Sequence, residues 1–365
     1  MSDPSTRIYQ ASEASLAVIE VCTVAVLGYG NQGRAQALNL RDSGVRVIIG
    51  NRDDGYRSRA QGDGFETFDI PEALARADLI LLLLPDEIMP AMFREQIRPH
   101  LRPGSALSFA SGYTIAFDKI TPPPGVDVLL IAPRMIGVGV RERFLSGEGF
   151  YCLVGVHQDA TGHALERLLA LTLGIGGLHR PAIEVTFKQE AILDLFNEQA
   201  FGPAFGRVLL TSIATLIENG LPAEAVLVEM YMSEEMAYTY RKMAQVGLVR
   251  QTAFHSQTSQ YGAMSRGIRF MNLGLKKRMS RIYAEIDSGA FAREWGSPLT
   301  RIKHRIIRFF AFRQSINRIE QCVRATLGLK EIDPSDYGLD AEAQSILGDP
   351  AVKAELESFE RSFDF

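Results

Sequence analysis

The sequence predicts a Rossmann-type α/β domain built on a parallel sheet, followed by an all-helical domain. Three observations carry this reading. Between residues 21 and 156, short apolar runs alternate with helix-compatible stretches. A glycine-rich turn, Gly28-Tyr29-Gly30-Asn31-Gln32-Gly33, joins the first run to the first helical stretch. After Gly177 the strand signal stops and long helical segments take over. A chain of 365 residues, at roughly 150 residues per domain, has room for two such domains and a tail. The divisions read as 1–182, 183–328 and an acidic segment 329–365.

The strands, in order, are 24–27, 45–49, 79–84, 106–109, 128–132 and 151–156. None alternates apolar with polar residues, as a strand with one wet face would. Apart from Arg46 and Ser108 they run apolar without alternating, as strands covered on both faces do, and such strands belong to parallel sheets of βαβ units. The later helices are 187–201, 205–219, 223–246 and 275–287, with Gly220 and Pro222 marking one helix end and the next start. Residues 300–324 interleave Arg and Lys with Ile306, Ile307, Phe309, Phe310 and Phe312. That pattern reads as a helix with a solvated cationic face packed on its own domain or on a partner subunit, with a membrane-surface or anion-binding role as the alternative.

Composition narrows the function classes. Lys and Arg number 39 against 43 Asp and Glu, a net charge of −4, so no global basic field draws the chain to nucleic acid or an anionic membrane. Cys22, Cys152 and Cys322 fit neither a zinc motif nor a bridged framework and read as inert core thiols of a reducing compartment. The longest apolar run, 79–84, is far short of the ~20 residues that span a bilayer, and Met1-Ser2-Asp3-Pro4 does not resemble a signal peptide. The expectation is a cytoplasmic protein acting on a small molecule, with neither membrane nor nucleic acid as partner.

The glycine turn points to a dinucleotide. Gly28 permits the tight turn, Gly30 lets the backbone approach a pyrophosphate, and Gly33 packs helix against strand. The helix N-terminus then offers free N–H groups and positive potential to the phosphates. The second strand ends at Gly50 and leads into Asn51-Arg52-Asp53-Asp54-Gly55-Tyr56-Arg57-Ser58-Arg59. A lone carboxylate here would select a ribose diol, whereas guanidinium and hydroxyl groups clasp a 2′-phosphate. Arg52, Arg57, Ser58 and Arg59 favour NADPH. Asp53 and Asp54 would instead serve an NADH site or cap the next helix.

Over residues 8–295 the chain resembles the ketol-acid reductoisomerases of branched-chain amino-acid synthesis. The resemblance rests on Val24-Ala25-Val26-Leu27 leading into the glycine turn, Ala37-Leu38-Asn39-Leu40, Ser43-Gly44-Val45 and Leu84-Pro85-Asp86-Glu87. It continues through His157-Gln158-Asp159-Ala160, Gly174-Ile175-Gly176-Gly177, Thr186-Phe187-Lys188, Asp194-Leu195-Phe196 with Glu198-Gln199, and Ser288-Gly289-Ala290-Phe291-Ala292-Arg293-Glu294-Trp295. The family implies a Rossmann domain, a knotted helical domain, and active sites completed between the two subunits of a homodimer. In it, a two-magnesium centre migrates an alkyl group in an acetohydroxy acid and NADPH reduces the product. By motif, Asp194, Glu198 and Glu229 stand at metal-binding positions, Ser256 at a substrate-binding serine, and Pro85 and Asp86 beside the nicotinamide.

The sequence departs from this pattern at the chemistry. Ser111 replaces a histidine, and Arg134 replaces the lysine of a Lys-Gly-Pro-Gly run, so that loop also lacks its Gly-Pro. Ser233 replaces the last metal-binding glutamate, four residues after Glu229. Serine cannot do the acid–base work of imidazole, and arginine stays charged and does not readily donate a proton. Mg²⁺ demands near-octahedral oxygen ligation, so losing a carboxylate argues for one metal rather than two. Glu234 or Glu235 would substitute only if the helix were rotated or bulged. His255 is the nearest candidate for a replacement acid, with a structural role as its alternative, and His157 reads as structural. The leading expectation is an NAD(P)H-dependent reductase of a small 2-oxo or imino acid with alkyl migration impaired or lost; Asp194, Glu198, Glu229, Ser256, Arg134 and Ser111 form its catalytic site, the three carboxylates binding one Mg²⁺ or serving as acid and base. The alternatives are a working ketol-acid reductoisomerase and a cofactor-binding scaffold.

Overall fold

The structure, a computed structural model, describes residues 6–311 and 314–329. The chain divides into two compact units, the first running to Leu193 and the second spanning Asp194–Glu331. The acidic segment predicted at 329–365 lies, beyond its first residue, outside the described residues.

The first unit is built on nine strands: β1 (Ile8–Tyr9), β2 (Thr23–Leu27), β3 (Arg46–Gly50), β4 (Glu66–Phe68), β5 (Leu79–Leu82), β6 (Ala106–Phe109), β7 (Asp127–Pro133), β8 (Cys152–Gln158) and β9 (Ala182–Glu184). Their order across the sheet is β1-β9-β8-β7-β6-β5-β2-β3-β4. Helices α1 (Asn31–Asp42), α2 (Gly55–Gly62), α3 (Ile70–Arg76), α4 (Met89–Met92), α5 (Tyr113–Ala116), α6 (Gly137–Leu145), α7 (Ala164–Gly174) and α8 (Phe187–Phe196) complete the order of elements. β2 lies between β3 and β5 with Ala25 opposite both Ile48 and Ile80, so its residues meet packed side chains on both faces. Val24, Val26, Leu40 and Leu171 fill one face of the sheet, and Leu27, Ile70, Leu74 and Phe93 the other. Fully burying each such side chain contributes about 1.5–3 kcal/mol.

The six strands from β4 to β7 are parallel, as expected, but β8 runs antiparallel to β7, with Pro133 opposite Cys152. β9 is parallel to β8, and β1 antiparallel to β9. The reversal follows from α6, which packs against α1 where β7 ends and so returns the chain to the sheet from the end it has just left. An apolar run does not record its direction, so the sequence reads the same either way. β1, β4 and β9 are two or three residues long, too short to stand out.

Asn39 is fully buried on α1, yet each of its polar atoms is paired. Its amide donates to the Val140 and Ile175 carbonyls at 3.3 and 2.9 Å and its oxygen accepts from Arg141 at 2.8 Å. Of the three expected core thiols, only Cys152 is buried; Cys22 and Cys322 are partly exposed. Burial pushes the Cys152 thiol up to about 12.

β9 and the start of α8 pack on the sheet, so the first compact unit extends to Leu193: Phe187 belongs to the core cluster with Phe109 and Leu130. Two expected helices, 187–201 and 205–219, form one continuous helix, Phe187–Glu218. A π-turn at Asn197–Phe201 joins α8 to α9 (Gly202–Glu218) and absorbs Pro203 in the first turn of α9, where a missing N–H is tolerated. By length and composition this helix is apolar enough to cross a membrane, and few of its residues are buried in the chain itself.

Further helices in the second unit are α10 (Ala223–Leu227), α11 (Glu235–Val246), α12 (Gln257–Gly267), α13 (Leu275–Asp287), α14 (Ala290–Trp295), α15 (Pro298–Ala311) and α16 (Ser315–Thr326). The expected helix 223–246 is broken. A π-turn, Val228–Met232, follows α10; Ser233 N–H donates to the Val228 carbonyl at 3.1 Å; and Glu234 turns left-handed at φ 61° before α11. Ile213, Val226, Leu227 and Val323 form a core cluster in this unit. The basic stretch 300–324 falls on two helices: α16 packs through Val323, whereas Leu299, Ile302, Ile306 and Phe310 of α15 are exposed.

Candidate active site

The carboxyl ends of β2, β3, β5, β6 and β7 lie at one edge of the sheet, where a doubly wound fold places its ligand. The glycine turn leads from β2 into α1. Gly28 has φ 93°, and a Cβ there would lie 2.6 Å from the Leu83 carbonyl oxygen. At Gly33 a Cβ would lie 2.1 Å from the Gly28 carbonyl oxygen. Gly30 is different: it has an ordinary φ of −77°, and an added Cβ would meet no atom within 4 Å. Neither backbone strain nor internal packing requires glycine at 30, whereas a phosphate approaching the N-terminus of α1 does. The turn therefore fits a dinucleotide pyrophosphate.

Asn31 is exposed at the first position of α1, and Gln32 donates from its side chain to the Met135 carbonyl at 2.9 Å. That bond, with Gly137 pressed against Asn31, sets the path of the loop that lacks Gly-Pro. Tyr29 departs from expectation. Its ring is buried, its hydroxyl donates to Asp63 at 2.8 Å, and Arg34 pairs with the same carboxylate at 2.7 Å. Only the backbone of Tyr29 is available to a cofactor. Burial raises the Asp63 pKa, but hydrogen bonds from Arg34 and then Tyr29 outweigh it and hold the carboxyl below its ordinary range.

Beyond β3 the charged residues sort themselves. Asp54 caps α2, accepting from Tyr56 N–H at 2.9 Å and Arg57 N–H at 3.3 Å, and pairs with Arg52 at 2.7 Å. Burial pushes its pKa up, yet these partners bring it below the usual value. This is the capping role anticipated for one of the aspartates. Arg57 is held by Asp69 at 2.7 Å and by Thr67 at 3.4 Å, turned to the neighbouring strand. Arg52 and Ser58 stay exposed at the mouth of the turn, with Asp53 also exposed beside them.

At the ends of β6 and β7 a residue that sequence reasoning missed organises the loops. Glu190 on α8 has no solvent exposure. One of its oxygens accepts from an Arg134 guanidinium nitrogen at 2.6 Å and the other from Gly112 N–H at 2.6 Å. Gly112 must be glycine, since a Cβ there would lie 2.1 Å from the Phe187 carbonyl oxygen. Ser111, just before it, accepts from Tyr113 N–H at 3.2 Å. Arg134 thus brings its charge to a site bounded by Ser111. The spacing Glu190, Asp194, Glu198 repeats every four residues and was the available signal for Glu190. His157 lies edge-on to Phe187, centroids 5.4 Å apart.

In the second unit Asp194 is partly buried, while Glu198 and Glu229 are exposed. Glu198 and Glu229 each lie in a π-turn, a distortion often found at functional sites. Among the described residues of this chain no three His, Cys, Asp or Glu side chains gather to hold a metal. Ser256 caps α12, its hydroxyl accepting from Ser259 N–H at 3.2 Å. His255 pairs with Gln251 at 3.1 Å.

The chain is similar to known proteins over both units. Residues 18–180 match the family described as acetohydroxy acid isomeroreductase, NADPH-binding domain, and residues 187–327 match ketol-acid reductoisomerase, C-terminal domain. The ketol-acid reductoisomerase (NADP(+)) of Pyrobaculum calidifontis is 41% identical over 300 residues, covering 79% of this chain and 88% of the relative. The enzyme of the same name from Pyrococcus abyssi is 39% identical over 300 residues, 79% of this chain and 87% of its own. The solved structure of an NADH-preferring ketol-acid reductoisomerase from an uncultured archaeon superposes with TM-score 0.82 at 32% identity, covering 87% of this chain and 98% of that one. A semialdehyde dehydrogenase NAD-binding protein from Cupriavidus necator, 19% identical with TM-score 0.56 over 73% of this chain and 98% of its own, shares the fold.

Proposed function

The chain belongs to the ketol-acid reductoisomerase family and is an NADP-dependent oxidoreductase, and from that premise we propose that it reduces a small 2-oxo or imino acid with alkyl migration weakened. The supporting observation is the pairing of Arg134 with the fully buried Glu190. Arg134 offers guanidinium donors to an anionic substrate, and arginine is a poor proton donor. Ser111 offers a hydroxyl in place of an imidazole. The site binds and orients, while the proton-transfer groups that alkyl migration needs are reduced.

NADPH, when bound, supplies the hydride. Its pyrophosphate would rest on the turn of Gly28, Gly30 and Gly33, its 2′-phosphate against Arg52 and Ser58, and its nicotinamide near Pro85 and Asp86. Asp194 and Glu198 would hold one Mg²⁺, with Glu229 contributed by a second copy in a homodimer, and Ser256 would contact substrate. The metal, when bound, polarises the substrate carbonyl. Carboxylate oxygens suit this hard cation, whereas Ser233 and the helix break at Glu234 disfavour a second one. A second copy would also cover the apolar face of the helix Phe187–Glu218, consistent with a cytoplasmic enzyme rather than a membrane protein.

Supplying acetolactate and its rearranged 3-hydroxy-2-oxo acid in separate assays tests this reading. NADPH oxidation with the rearranged acid, or with other small 2-oxo or imino acids, is expected at rates well above those with acetolactate. Equal rates would establish the second reading, a working ketol-acid reductoisomerase, which is favoured by the 39–41% identity to relatives of that name. No turnover with any member of a broad panel would remove both.

A further inference from the structure

Tyr113 is 7% exposed, and its hydroxyl is buried without a hydrogen-bond partner among the described residues. Its ring meets Phe117 edge-on at 5.4 Å, and Lys188 lies over the far ring at 4.3 Å. Leaving a buried hydroxyl unpaired is costly, and phenylalanine at 113 would fill the same space without that cost. The hydroxyl therefore calls for a partner beyond the chain's own atoms.

Its position indicates which. β5 and β6 are parallel neighbours with Leu82 opposite Phe109. Asp86 and Tyr113 each follow four residues after that pair, at the carboxyl ends where the ligand crevice opens. Asp86 is close enough that its charge, after burial, contributes to pushing the Tyr113 phenol up to about 12, so the phenol is a hydrogen-bond donor at neutral pH. A phenol donor beside a carboxylate acceptor complements a primary carboxamide, which presents one C=O and one NH₂. A carboxylate ligand would instead meet Asp86 with like charge.

We infer that Tyr113 and Asp86 bind the nicotinamide carboxamide of the reduced dinucleotide, Tyr113 donating to its carbonyl and Asp86 accepting from its NH₂. This rests on the reading of the crevice as the nicotinamide site. Tyr113 thereby fixes the ring at the edge of the sheet that also carries Ser111 and Arg134.

Fluorescence titration of the full chain and of Tyr113→Phe, with NADPH and with adenosine 2′,5′-bisphosphate, tests it. The substitution is expected to weaken NADPH about 3–10-fold, to leave the bisphosphate within about 2-fold, and to leave the unfolding temperature of the ligand-free protein unchanged or higher. Equal NADPH affinity in the two proteins, or a matching loss for both ligands, overturns the inference while the dinucleotide site stands. If the unaltered chain binds neither ligand, the crevice reading fails and takes this inference with it.

Discussion

Glu190 and Arg134 form a 2.6 Å ion pair in which the carboxylate is fully buried and the guanidinium side chain is 30% exposed. The second carboxylate oxygen holds Gly112 N–H, so one side chain on α8 ties together the loops that end β6 and β7. Breaking such a pair leaves an uncompensated charge, which is more costly than losing the attraction alone.

Glu190→Gln keeps an acceptor for Gly112 but removes the carboxylate charge that faces Arg134. We expect a loss of about 2–3 kcal/mol in urea unfolding, toward the low end for a buried pair because Arg134 is partly hydrated. An unchanged midpoint would show that the pair contributes nothing.

The glycines of the first turn should separate folding from binding. Gly33→Ala places a methyl against the Gly28 carbonyl at 2.1 Å and should cost about 3 kcal/mol or more of stability. Gly30→Ala meets nothing within 4 Å and should alter stability by less than about 0.5 kcal/mol, yet weaken NADPH roughly tenfold or more by blocking the phosphate. Thermal unfolding paired with dinucleotide titration reads both, and equal behaviour of the two variants would refute the distinction.

Cofactor choice should follow the exposed arginine. Arg52→Ala is predicted to weaken NADPH by about tenfold or more while NADH binding stays the same, since only the 2′-phosphate is contacted. Arg57, held by Asp69 and Thr67, should lower both affinities little and stability by at most about 1 kcal/mol when changed to alanine. A selective loss of NADPH affinity in Arg57→Ala would reverse these roles.

Asp63 should give the fold a measurable acid sensitivity. Its folded pKa lies below the ordinary value of 3.8. The unfolded chain therefore takes up a proton first as pH falls, and the stabilisation, complete above about pH 5, disappears as pH drops through the folded value. Asp63→Asn should be less stable at pH 7 by about 1–2 kcal/mol and show a flatter acid limb in urea midpoints between about pH 5 and pH 2.

Glu234 is one of two non-glycine residues with positive φ among the described residues, at 61°. Glu234→Gly should relieve that strain and raise stability by about 0.5–1 kcal/mol, measured by chemical unfolding. A loss would mean that the carboxylate makes a contact worth more than the strain.

Much of this was legible along the chain because its causes are local. Gly28 and Gly33 are required by atoms that a tight turn must bring together, and the apolar runs of β2, β5 and β6 are what strands covered on both faces need. The departures at Ser111, Arg134 and Ser233 were visible for the same reason, as residue types whose chemistry is fixed wherever they lie. The π-turns were not, because Val228–Met232 and Asn197–Phe201 have compositions that an ordinary helix accepts.

What the sequence determined by itself was the order of the elements, the phosphate-binding turn and the set of side chains available for chemistry, each governed by neighbours within a few residues. What only the tertiary structure decided was partnership. It reversed β8, turned Tyr29 into the core onto Asp63, drew Arg57 away to Asp69, and set Glu190, which in sequence looks like one more solvated helix carboxylate, beneath Arg134. Each of those contacts joins residues that folding must first bring together, and burial then multiplies the consequence of a pairing that no local pattern specifies.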